Sequence, residues 1–304
     1  MSTNLYTHQD KNIWKTWFLM TTFFILVILL GWFISFYYQS PGILYFAVIF
    51  AILMNIFSYW FSDKIVLKLH KAKPVTRAEY FDLWNATENL AITAGLPMPK
   101  LYIIEDPAPN AFATGRNKEH AVVCVTTGLL SILEKNELEG VIAHELSHIG
   151  NRDMLISTIV VVMVGFVALL SDLFLRSQIL GGGRQRQSGN AGVILLIVGI
   201  ALAILTPIIA TLIRLSISRK REFLADATGA LLTRYPQGLA GALRKISAAP
   251  MPMRSANNAT AHLFIANPFS SKKTSGFHKL FMTHPPLEER ILALTGGTSQ
   301  HGPQ

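Results

Sequence analysis

Four residues of this chain have the types and spacing of a hydrolytic metal centre. His144, Glu145 and His148 stand in VIAHELSHIG (residues 141–150) as an HExxH pattern, and Glu222 follows in REFLAD (residues 221–226). Histidines four positions apart on a helix lie on one face about one turn from each other, so two imidazoles can grip one metal ion. Two imidazoles and one carboxylate leave a coordination position for water, the ligand set of a catalytic and not a structural zinc. A single Zn2+ per chain, held by His144, His148 and Glu222, would lower the pKa of water to about 7. Glu145, rotated about 100° from His144 around the helix, could take its proton and pass one to a leaving amine. That chemistry is metallopeptidase chemistry. The three ligand candidates also have plainer readings, His144 and His148 as surface histidines on a core-packed helix and Glu222 as one partner in a charged RKRE run.

Around these residues the chain must supply helices. Asn136 and Glu139 have the spacing of a capping box, and Leu138, Val141, Ile142, Leu146 and Ile149 form an apolar stripe behind the histidines. Gly150 and Asn151, which tolerate a left-handed conformation, mark its end. Asp226, four residues after Glu222, shares its helical face and could accept a hydrogen bond from the free ring nitrogen of a ligand histidine, or serve as a capping or surface carboxylate. Upstream, residues 100–104 (KLYII), 111–114 (AFAT) and 121–126 (AVVCVT) read as short strands between prolines and glycines. The exposed edge of such a sheet could take an extended peptide by main-chain hydrogen bonds, or the sheet could simply support the helix. Downstream, THPPLEER places His284 before two prolines and Arg290 six residues later. Either could stabilise an oxyanion, and the same stretch also reads as a turn before a helix.

Of 304 residues, 51% are hydrophobic and only 15% charged, with a mean hydropathy of +0.37, which places the chain in a membrane. Four apolar segments are long enough to cross: about 17–38, 42–61, 154–175 and 191–215. Lys15 and the lack of a cleavage-like site mark the first as an uncleaved anchor. The net charge of +9 gathers beside the spans, at Lys64, Lys68, Lys71, Lys73 and Arg77 and again at Arg219, Lys220 and Arg221. This suits anionic headgroups and not nucleic acid. The lone Cys124 reads as a small buried hydrophobe. His148 and Glu222 lie on either side of the third and fourth segments, so the ligands share a compartment only if both cross or neither does. Arg176, Arg184 and Arg186 in the intervening loop pull against the cytoplasmic assignment that the other basic residues make. Spacing puts the metal within roughly 10 Å of the bilayer boundary.

The expected fold is therefore a mainly α membrane protein with a small β-sheet, a zincin-like catalytic domain joined to about four transmembrane helices. Its parts would be an N-terminal transmembrane hairpin (1–61), a first catalytic part with the sheet and HExxH helix (62–153), a hydrophobic hairpin (154–216) and a second catalytic part (217–304).

Leu96 to Leu130, HELSHIGNRDML, SRKREFLADATGA and THPPLEER together resemble the HtpX family of membrane-bound zinc metallopeptidases, nearly end to end. The resemblance implies a gluzincin-type endopeptidase of the bacterial inner membrane, its active site toward the cytoplasm, removing misfolded or damaged membrane proteins under stress. It implies zinc ligation by His144, His148 and Glu222 and catalysis by Glu145. It also implies a substrate-binding edge strand at Asn110, Ala111, Phe112, Ala113, Thr114 and Gly115, and a pair beside the reaction centre in His284 and Arg290. Implied partners are the lipid bilayer and unfolded protein substrates; oligomeric state is left open. Two other classes compete. A non-proteolytic membrane scaffold or chaperone would keep a structural zinc without turnover. A transporter would need intramembrane ionisable residues, of which the spans offer little beyond Asp172.

Overall fold

Lipid offers no hydrogen bonds, so an uninterrupted apolar run must satisfy its own N–H and C=O groups, which a helix does locally. The computed structural model describes residues 5–180, 199, 219–249, 251–257, 259–269 and 285–296, with side chains from residue 12 and, in the third long helix, as far as residue 166. It opens with α1 (Leu5–Tyr38) and α2 (Pro41–Leu69). Gln39 turns the chain between them with φ of 49°, and Pro41 starts α2 where no N–H is missed. A Cβ on Gly31 would lie 2.2 Å from that of Ala47, so this glycine permits the close backbone approach on which helix packing in lipid depends. Trp17, Phe33, Phe46 and Ile49 are exposed on the outside of the pair. These two helices are long and apolar enough to cross a membrane.

The sheet follows: β1 (Lys73–Pro74), α3 (Phe81–Thr93), β2 (Lys100–Ile104), β3 (Ala111–Thr114) and β4 (Val122–Thr126), with α4 (Thr127–Ile132) directly after. Strand order is β1-β2-β4-β3. β2 and β4 run parallel, Tyr102 opposite Cys124, and β3 closes antiparallel with Phe112 opposite Cys124. Alternation sends Ile104, Phe112 and Cys124 into a core shared with Phe23, Val66 and Ile159 of the long helices. Leu101, Val123 and Val125 enter a second core with Val141, Ile142 and Leu146. Both faces are thus covered, which is why β4 reads VVCVT with no polar alternation.

α5 (Lys135–Gly150) lies on the second face and carries the histidines. Its cap is not the expected Asn136–Glu139 pair: the helix starts earlier, with Glu134 N donating to Glu137 Oε2 at 2.8 Å. EKNELE contains both windows, and the pair that forms is the one Lys245 meets, at 3.2 Å from Glu134 and 2.7 Å from Glu137. The expected left-handed residue is also displaced. Asn151 keeps a right-handed φ of −82° because its N–H continues the helical pattern to Ser147, and Arg152 turns the chain with φ of 57°. α6 (Asp153–Leu180) then leaves at 83° to α5 and packs against α1 and α2. α7 (Arg219–Thr233), α8 (Pro236–Ala248) and α9 (Leu287–Thr295) complete the described chain. The third expected span falls within α6; the fourth, 191–215, and the glycine-rich loop before it lie outside the described residues save Gly199.

Candidate metal centre

Two helices meet at the site because one residue between them is small. Gly229 of α7 faces α5 so closely that a Cβ there would lie 3.0 Å from His144 N and 3.2 Å from Ala143 C. This crossing brings Glu222, at the start of α7, to the histidines. His144 Nε2 and His148 Nε2 are 3.2 Å apart, and Glu222 offers Oε2 at 3.7 Å to the first and Oε1 at 3.6 Å to the second. One ligand atom from each of the three residues lies within 4.8 Å of the other two.

The remaining ring nitrogens explain why these atoms converge. Asp226 Oδ1 is 2.9 Å from His144 Nδ1, and Asp153 Oδ2 is 3.2 Å from His148 Nδ1. A carboxylate only accepts, so each Nδ1 carries a proton and each Nε2 is the atom turned toward the shared point, the orientation of a metal ligand. Two ring nitrogens and a carboxylate facing one point are the donor set of a metal site. The charge balance agrees. Glu145, Asp153, Glu222 and Asp226 are buried as formal anions against the buried cations Arg221 and Arg290, an excess of negative charge that a bound cation would offset. The residues present fit a metal.

The two imidazoles differ in basicity. Burial, with the Arg290 guanidinium beside it, lowers the pKa of His144 to about 4. Burial also pushes His148 down, but the hydrogen bond to Asp153 and the charge of Glu222 outweigh it and raise that pKa to about 9. His144 is therefore neutral over the whole ordinary pH range, as a metal ligand must be, while at His148 a proton would compete with a metal.

Arg290 is fully buried at the back of the site. Its Nε and Nη2 donate to the two oxygens of Asp226 at 2.8 and 2.7 Å, and Nη1 donates to Ile265 O at 3.3 Å and lies 3.7 Å from Glu222 Oε2. Its Nη2 also lies 3.4 Å from both ring nitrogens of His144, so the guanidinium borders the ligand cluster while it holds Asp226. His284 lies outside the described residues. Glu145 is buried beside the ligands, near enough for its charge to act on His148.

β3 is the outer strand of the sheet, yet its edge is not open throughout. Asn110, Ala111, Phe112, Ala113, Thr114 and Gly115 are all buried. Ile265 N donates to Ala111 O at 3.0 Å, and the Asn110 side chain exchanges hydrogen bonds with the main chain of Ala266 at 2.9 and 3.1 Å. An edge strand leaves main-chain groups unpaired, and here the chain supplies its own partner at the Ala111 end. Asp153 is the residue that sequence reasoning missed; its only local signal is a carboxylate five positions after His148, past the break in the helix.

The chain matches the peptidase family M48 over residues 79–298. It is 47% identical over 295 residues to a protease HtpX homolog of Caldanaerobacter subterraneus subsp. tengcongensis, a stretch covering 95% of this chain and 97% of that one. It is 51% identical over 263 residues to a protease HtpX homolog of Desulfatibacillum aliphaticivorans, covering 84% and 82% respectively. A crystal structure of S. mikatae Ste24p overlaps with a TM-score of 0.49 at 18% identity, over 95% of this chain and 67% of that one.

Proposed function

The chain belongs to peptidase family M48, among the HtpX proteases, and from that premise we propose that this membrane metalloprotease is a zinc-dependent endopeptidase acting on misfolded or damaged membrane proteins. The observation that carries this reading is the convergence of His144, His148 and Glu222 within 4.8 Å, with both rings anchored through Nδ1 by carboxylates. Nitrogen and oxygen donors without sulfur suit a catalytic zinc. Bound there, zinc supplies the Lewis acidity that polarises a peptide carbonyl and lowers the pKa of water to about 7. Glu145 accepts the proton of the attacking water and returns it to the leaving nitrogen. Asp226 and Asp153 keep the two rings in register, and Arg290 holds Asp226. Substrate main chain pairs with β3 beyond the stretch covered by Ile265. Asn110 O accepts from Thr126 N, so Asn110, Phe112 and Thr114 face β4 with their main chain, and Ala113 looks outward.

The protein is proposed to lie in the bacterial inner membrane with the site on the cytoplasmic face and a second hairpin, 154–216, crossing and returning. Support comes from Asn12, near the start of α1, which reaches Asp153 and so sets the N-terminal end of α1 on the same side as both ligand-bearing helices. Digestion of an unfolded model protein by the purified full-length chain tests the reading. Cleavage at internal bonds should stop on zinc removal by a chelator and return on adding zinc; cleavage indifferent to the chelator would refute it.

A further inference from the structure

Asn12 lies in the polar first turns of α1, before its apolar run, and it is 4% exposed. Its Nδ2 donates to Asp153 Oδ1 at 2.7 Å and to Asn151 O at 3.1 Å, while its Oδ1 accepts from Arg221 Nη1 at 3.4 Å. Arg221 Nη1 also donates to Asp153 Oδ1 at 3.3 Å. Asp153 therefore has one oxygen clamped by donors from α1 and α7, and its other oxygen faces His148 Nδ1 at 3.2 Å. A carboxylate held on one side has its plane fixed, and with it the direction of the hydrogen bond on the other side. The clamp also borders the third ligand, since Arg221 immediately precedes Glu222.

We infer that Asn12 is a positioning residue of the metal centre: through Asp153, the first membrane helix aims the His148 imidazole at the metal. This rests on the metal-binding reading above. It makes α1 part of the site as well as an anchor, and it explains why a buried amide is kept where an apolar residue would pack without hydrogen-bonding demands.

The test uses the full-length protein in detergent, with zinc affinity measured by competition against a chromogenic chelator and with the visible absorption of the cobalt-substituted protein as a report on ligand geometry. Asn12→Leu keeps the branched four-atom shape of the side chain and removes the amide. It should weaken zinc binding by about tenfold, the lower end of the effect of losing an outer partner, and alter the cobalt spectrum. Thr16→Val is the control. Thr16 is buried one turn further along α1 and, among the described residues, its hydroxyl bonds within its own helix, to Asn12 O 2.8 Å away, so this variant should change neither readout. If Asn12→Leu does not fold, Asn12→Ser, whose hydroxyl is too short to reach Asp153, carries the same expectation. Wild-type affinity and spectrum in the Asn12 variant, or equal weakening by Thr16→Val, would overturn the inference and leave the metal site standing. A wild-type chain that binds no zinc, or a His148→Ala variant that binds it normally, would overturn the metal reading itself and this inference with it.

Discussion

Asp226 accepts from His144 Nδ1 at 2.9 Å while both its oxygens receive the guanidinium fork of Arg290. One carboxylate thus fixes a ring and neutralises a cation that is wholly out of water. In Asp226→Asn, an amide that still offers its oxygen to His144 must turn its NH2 toward Arg290, donor against donor. Zinc affinity should fall about 10- to 100-fold, and the stability of the fold by about 3 kcal/mol for the buried charge left without its partner. Chelator competition and denaturant unfolding would read the two effects; an unchanged affinity would contradict the assigned role.

Glu145 follows a ligand in sequence but is assigned a proton and not the metal. Glu145→Gln should keep one zinc per chain and reduce kcat on an unfolded substrate by about 10²- to 10⁴-fold, with KM little changed. Loss of zinc in this variant would instead make Glu145 a structural element of the site.

Much of this centre was legible because helical spacing is local: four residues separate His144 from His148, and four separate Glu222 from Asp226. Strands at 100–104 and 111–114 were legible for a similarly local reason, short apolar runs set apart by the breakers Pro107, Pro109 and Gly115. What escaped depends on contacts distant in sequence. Nothing near residue 12 announces Asp153, which lies 141 positions away. The cap of α5 lies two residues before the expected one because EKNELE contains two equivalent windows, and the contact of Lys245 with the earlier one comes from another helix. The covering of β3 by Ile265 could not be read either, since hydrogen bonding to a main-chain edge leaves no mark in side-chain pattern.

Gly229 sets the distance between the ligand-bearing helices. A methyl group there gains up to about 1 kcal/mol of helix propensity but presses on backbone atoms of α5, which cannot move aside by changing rotamer. Overpacking costs about 1–3 kcal/mol, so Gly229→Ala should be destabilising by about 1 kcal/mol and should weaken zinc binding. A raised melting temperature would mean that propensity wins and the crossing is looser than described.

His70, at the end of α2, has its Nδ1 2.9 Å from Ser255 Oγ and its Nε2 2.9 Å from Thr260 Oγ1. Burial lowers its pKa to about 4, against a smaller opposing pull from Asp106. As pH falls below about 6.5 the unfolded chain takes up the proton first, so the stability present above that pH is lost progressively until pH nears 4. Between pH 7 and 5 the wild-type protein should lose about 2 kcal/mol more than His70→Gln, as measured by denaturant unfolding. Equal losses would show that this imidazole is not held neutral.

The central claim is that a carboxylate 74 positions beyond His148 completes one metal site with the two histidines. Zinc per chain after dialysis against a chelator of moderate affinity, compared between wild type and Glu222→Ala, tests it most directly. One equivalent in the wild type and almost none in the variant is the predicted result; a full equivalent retained without the Glu222 carboxylate would contradict the account.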